Sequence, residues 1–210
     1  IVDWDRLGLV VDDINRIEVV RGPAGVAYGS NAFIGAINIV TNDPFMNPGW
    51  RLSTTLGSEE TGLISAQYSE VGEDFDYRAS ASYFHTDGFD GVNDEVITRS
   101  GRFQGHYQIN PKMTLDFQLG HSEGPWGRGG SGLLVDARGE KEATEKYGNF
   151  RLTHSLSPGN EWFFQLGLHK TEEDDQYEIG LRSELLGVTP AQVPTVLPGQ
   201  QDQEVVGSFF

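Results

Sequence analysis

From Trp50 onward, apolar and polar residues alternate with period two. Phe75–Tyr83 sets Phe75, Tyr77, Ala79, Ala81 and Tyr83 against Asp76, Arg78, Ser80 and Ser82. Gly101–Ile109 opposes Phe103, Tyr107 and Ile109 to Arg102, Gln104, His106 and Gln108. Met113–Leu119 and Trp162–Leu168 repeat the scheme, and Arg51–Gly57, Leu63–Ser69 and Tyr147–Leu156 show weaker forms of it. A final strand is expected to begin near Val205. Side chains of an extended chain point alternately to two faces, so this pattern predicts a train of β-strands with one apolar face each. Upstream, Arg16–Val20 and Ala36–Val40 are two further β-rich runs, joined by a segment rich in Gly, Ala and Ser.

The connectors alternate as well. Short links near Gly72–Asp74, Asn110–Lys112 and Ser157–Asn160 separate much longer polar or Gly/Pro-rich stretches at Asp87–Val96, Gly124–Thr144 and Glu172–Gln203. Outer-membrane barrels have this asymmetry of tight turns at one end and long loops at the other. A soluble β-sandwich or jelly roll also alternates, but has no reason to sort its loops by length. The polar faces, with Arg78, Arg102, Gln104, His106 and Gln108, suit a wet lumen as well as bulk water.

Composition narrows the choice. Acidic residues outnumber basic ones 31 to 15, for a net charge of −16, and no cluster of Lys and Arg is present to neutralise phosphates. Nucleic acid is therefore not an expected partner. No run of 18 apolar residues exists, which excludes a membrane-spanning helix and leaves strands untouched. Cysteine is absent, removing disulfides and thiolate metal sites. The chain begins at Ile1 without a basic-then-apolar leader, so no targeting segment is visible and the sequence reads as an internal fragment.

The segment Ile14–Thr41 carries the most specific signal. It reads Ile14–Val20, Arg21-Gly22-Pro23, Tyr28-Gly29-Ser30, Asn31-Ala32, Gly35-Ala36 and Ile37-Asn38-Ile39-Val40-Thr41. Pro23 ends the first strand, and Gly35 would let a neighbouring backbone approach. This order closely resembles the end of the plug domain of TonB-dependent outer-membrane receptors. Asn15 stands where that family usually has Glu, and Ile34 where many members have Gly. The resemblance implies a mainly β chain: part of an N-terminal α+β plug domain over 1–46, then roughly the first eight strands of a transmembrane antiparallel barrel over 47–210. Members close with about 22 strands, wide enough to hold a plug.

The implied activity is import of a scarce nutrient, such as a ferric siderophore or cobalamin, across the outer membrane of a Gram-negative-type bacterium. The implied partners are the TonB energy-coupling complex, reached through a segment upstream of Ile1, outer-membrane lipid and a small ligand; no cofactor is implied. The first barrel strand should then rise from the periplasm, making Ser58–Thr61 a short external loop. That phase places Trp50, Phe75, Tyr107 and Trp162 beside periplasmic ends, as an aromatic girdle would be. Within the motif, Glu18, Arg21, Gly22, Pro23, Tyr28, Gly29, Asn31, Gly35 and Asn38 are the candidate structural or gating residues. For Glu18 and Arg21 the choice lies between holding the turn and meeting charges on the barrel wall.

Other candidate chemistry reads as background. Gly127–Gly132 matches G-x-G-x-x-G, but follows an alternating strand inside a long loop, where a dinucleotide site would need a buried parallel strand and a helix. Glu172-Glu173-Asp174-Asp175 is expected to be a solvated acidic loop; Asp174 and Asp175 would take part if Ca²⁺ bound there. His85, His106, His121, His154 and His169 show no i, i+4 pairing, and a metal site would need convergence across strands. No nucleophile–base set or carboxylate pair points to an enzyme. Two other readings are a complete eight-stranded barrel with a structural or adhesive role, and a soluble plug-like periplasmic binding domain.

Overall fold

The computed structural model describes residues 8–23, 34–90, 94–127, 140–178 and 196–209. A single 3₁₀ turn, Val11–Asp13, leads into strand β1 (Ile14–Arg21), which pairs antiparallel with β2 (Gly35–Thr41). The register sets Ile17 opposite Ile39, Glu18 opposite Asn38 and Arg21 opposite Gly35. Gly22 leaves β1 at φ +99°, a conformation that costs other L-residues, and its amide donates to Ile34 O at 3.0 Å. Gly35 is where the backbones approach: a Cβ there would stand 2.6 Å from Val20 O.

Eight further strands form one antiparallel meander in chain order. They are β3 (Gly49–Leu56), β4 (Gly62–Val71), β5 (Phe75–Thr86), β6 (Val96–Asn110) and β7 (Met113–Gly127), followed by β8 (Glu140–Ser157), β9 (Asn160–Glu178) and β10 (Val196–Phe209). β3 and β10 form the two edges and do not pair among the described residues, so these strands do not close into a small barrel. Every predicted strand is present, and the links 72–74, 111–112 and 158–159 are short.

The strands run well past the lengths expected from sequence. β8 has 18 residues and β9 has 19, against the ~9–11 needed to cross a bilayer. The stretches Gly124–Thr144 and Glu172–Gln203 are therefore not all loop. Their flanks belong to β7–β10, and the acidic run Glu172–Asp175 lies within β9. Beyond an apolar band the outward side chains become polar, so the alternation fades while backbone pairing continues.

The two faces of the sheet invert the pattern of a soluble protein. Trp50, Leu52, Leu56 and Ile64 are exposed at 75%, 76%, 84% and 59%, whereas Ser65, Gln67, Ser69, Arg78, Thr98, Arg102 and Gln104 are buried. A sandwich would bury the apolar face; here the buried face is polar and the apolar one is turned outward, as in a lipid-facing barrel wall. Aromatic rings link strands across that outer face. Trp50 meets Tyr68 at 5.0 Å, Phe75 meets Tyr107 and Phe117 at 6.2 Å each, and Phe117 meets Phe150 at 6.5 Å. Trp162 packs on His154 at 5.5 Å.

One backbone approach gives a direct prediction. A Cβ on Gly124 in β7 would lie 1.8 Å from the Ile97 carbonyl oxygen of β6, an atom that cannot rotate away. Gly124→Ala is expected to destabilise the β6–β7 seam by about 2–3 kcal/mol. Thermal unfolding of the full-length protein checks it; an unchanged midpoint would contradict this packing.

Candidate functional site

The buried polar face is where the plug-like segment docks. The turn at Val11–Asp13 points Asp13 at the wall, and the residue is 2% exposed. Asp13 Oδ1 accepts from Gln67 Nε2 of β4 at 2.7 Å and lies 2.9 Å from Arg102 Nη2 of β6. The Arg102 contact is a charge contact lying off the hydrogen-bond direction, for neither terminal guanidinium nitrogen has a hydrogen-bond partner. Burial pushes the Asp13 carboxyl above its ordinary range, against the opposing pull of Arg102, the Val10 backbone and Arg78.

A second anchor holds the far end of β2. Arg78 of β5, 2% exposed, donates through Nε to Ser69 Oγ at 2.8 Å and through Nη1 to Asn42 O at 3.2 Å; its Nη2 donates to Met46 O. Gln104 Nε2 also donates to Asn42 O, at 2.5 Å. Asn42 ties this anchor to the first, since its backbone amide donates to Asp13 O at 2.9 Å and its Nδ2 to Asp12 O at 2.8 Å. The fork geometry of Arg lets one side chain hold three acceptors on two elements. Beside this seam lies a cavity of about 450 Å³, lined by Thr41, Pro44, Gln104, Asp116 and Arg151, with His106 Nδ1 2.6 Å from Asp116 Oδ1.

The residues expected from sequence fall elsewhere. Glu18 bonds Arg16 Nε at 2.6 Å and Asn38 Nδ2 at 2.9 Å, both within the β1–β2 sheet. The Arg16 bond, then that of Asn38, holds its carboxyl below the usual range. Arg21 is exposed at the end of β1, beside Gly22 and Pro23 at the turn. Tyr28, Gly29 and Asn31 lie outside the described residues, as do residues 128–132 of the Gly-rich match. Phe75 and Tyr107 stand opposite each other on the outer face near the 72–74 link, Trp50 stands near the start of β3 against Tyr68, and Trp162 stands beside the 158–159 link.

The acidic run is partly neutralised by lysines. Glu172 is 2.8 Å from Lys170 Nζ and 3.8 Å from Lys146 Nζ, and Glu173 pairs with Lys141. Asp174 is exposed, and the side chain of Asp175 lies outside the described part. Sequence reasoning missed Asp13, Asn42 and Gln67. The available signal was that Arg78 and Arg102 sit among Ser and Gln on polar faces read as wet, which demands an acidic or carbonyl partner once a segment covers them.

No protein-family model matches the chain. Two hemin receptors are similar to it: that of Yersinia pestis at 31% identity over 119 residues, and that of Yersinia enterocolitica at the same identity and length. The match takes in 50% of this chain but only 18% and 17% of the relatives, so the chain spans less than a fifth of their length. Among solved structures, the fold is similar to the ferripyoverdine receptor of the outer membrane of Pseudomonas aeruginosa, with TM-score 0.64 and 18% identity. That match covers 80% of this chain and 25% of the receptor. The ferric-catecholate import receptor Fiu of E. coli gives TM-score 0.67 at 15% identity, over 91% of this chain and 34% of that one. At such identities the structures speak for the fold, and the outward apolar face agrees with their membrane setting.

Proposed function

We propose that this chain is part of a TonB-dependent outer-membrane receptor that serves the import of an iron compound, haem or a ferric chelate, across the outer membrane. Residues 1–46 act as the end of the plug and 47–210 as the start of the barrel wall. The observation that carries this reading is the docking of Asp13 and of residues 42–46 on the buried polar face, through Gln67, Arg78, Arg102 and Gln104, behind an apolar outer face. The polar contacts at Asp13, Asn42 and Met46 can be released without unpacking an apolar core, because such bonds exchange readily with water when the site opens. The outer rings at Trp50, Phe75, Tyr107 and Trp162 are assigned to the periplasmic interface, where amphipathic aromatic side chains are favoured. Energy is assigned to the TonB complex.

The iron-compound assignment follows the similar hemin receptors and ferric-chelate receptors, and it separates this reading from cobalamin uptake. Full-length receptor in detergent should bind hemin or a ferric siderophore saturably, and cobalamin should not compete. Saturable cobalamin binding with no response to either iron compound would overturn the assignment.

A further inference from the structure

We propose that His85, Asp87 and Glu95 form a site for a zinc-like divalent cation at the long-connector end of the β5–β6 hairpin. The site is on the sheet's outer face and is independent of the import reading. His85 lies in β5 opposite Ile97, and continuing that register brings Asp87 beside Glu95 on the same face. His85 Nε2 is 3.2 Å from Asp87 Oδ1 and 3.7 Å from Glu95 Oε1, and the three ligand atoms lie within 4.8 Å of one another. Tetrahedral zinc with bonds of roughly 2.0–2.1 Å sets neighbouring ligand atoms about 3.3 Å apart. Two of the three separations already approach that value, and the exposed Glu95 side chain has freedom to close the third.

The backbone holds these residues in place. Asp87 N donates to Glu59 O at 3.0 Å, and Gly127 N donates to Glu95 O at 2.7 Å, tying both carboxylate-bearing residues to neighbouring connections. Between them, Gly88 at φ +71° packs under Asp94, whose carboxylate accepts from Phe89 N at 2.9 Å. Charge balance favours a cation. Two carboxylates converge on one imidazole nitrogen, which offers at most one proton, and among the described residues no Lys or Arg forms an ion pair with either of them. Arg99, on the same face, stands opposite Tyr83 and Glu123 in the register. A nitrogen with two carboxylate oxygens suits zinc and other borderline ions better than calcium, which takes six to eight oxygens. A fourth position remains for water, as three protein ligands leave in open zinc sites.

Calorimetric titration of the full-length receptor in detergent with ZnCl₂ tests the site. Wild type should bind one equivalent of zinc that His85→Ala loses or binds at least tenfold more weakly, with a similar loss in Asp87→Asn. His121→Ala, which removes the neighbouring His121–Glu123 pair, should bind as wild type does. His85→Gln, close in size, repeats the test should the alanine variant lose its β-sheet circular dichroism. Identical stoichiometry and affinity in wild type, His85→Gln and Asp87→Asn would overturn the proposal. So would displacement of the zinc by equimolar CaCl₂, which would mark an oxygen-only site.

Discussion

Asp13→Ala is expected to loosen the segment around Asp13 from the wall at a cost of about 1–3 kcal/mol, the usual consequence of leaving buried polar groups without their partner. Arg102 has a side-chain exposure of 3% and loses its acidic partner, while Gln67 Nε2 loses its acceptor. The paired change Asp13→Ala with Arg102→Leu should recover much of that loss, because it removes the stranded charge as well. Chemical unfolding of the full-length receptor, followed by a probe in residues 8–46, checks both variants. A cost under about 1 kcal/mol for Asp13→Ala would show that the pair is not holding the segment. The pH dependence has a definite sign. Burial raises the folded-state value above the ordinary 3.8, so the folded form binds the proton more readily than the unfolded one. This group's titration therefore adds stability as the pH falls through the raised value toward 3.8, and Asp13→Asn should flatten that part of the profile.

Arg78→Ala should detach the other end, residues 42–46, at about 3 kcal/mol, since bonds from a charged donor are worth ~1.5–3 kcal/mol each and are not additive. Ser69 Oγ, Asn42 O and Met46 O lose a common donor, and only Gln104 still reaches Asn42 O. Arg78→Lys should recover little, because an ammonium on a flexible stem does not reproduce the planar fork. Amide hydrogen exchange over 42–46 is the direct readout. Faster exchange there with β3–β5 unchanged is the expected result, and uniform protection across all of them would contradict the anchor. Because Asn42 bonds to Asp12 and Asp13 as well, Asp13→Ala combined with Arg78→Ala should not be additive.

The wall was legible in the sequence because a strand with one apolar face writes its period directly into the residues. Phe75–Tyr83 and Met113–Leu119 show their faces without ambiguity, and both are strands in the structure. The ends were not legible for the same physical reason. In Glu140–Ala143 and Glu172–Asp175 both faces are largely polar, so no apolar period marks the strands there, which continue by backbone pairing and the cross-strand Lys141–Glu173 ion pair. The β1–β2 pair was legible from its β-branched runs and from the turn at Gly22-Pro23. The anchor was not. Asp13 lies outside the recurring motif and contacts residues 54 positions away at Gln67 and further still at Arg102, a proximity that only the tertiary fold creates. Glu18, the charged motif residue that drew notice, is instead satisfied by Arg16 and Asn38 close at hand. The triad at His85 was hidden likewise, since Glu95 meets it only through strand pairing across β5 and β6.

The most direct test of the central claim is uptake of radiolabelled iron, supplied as hemin or as a ferric siderophore, by cells making the full-length receptor with and without a working TonB complex. The account predicts accumulation that requires both the receptor and TonB. Accumulation that persists undiminished without TonB, or none for either iron compound in cells that display the receptor, would contradict it.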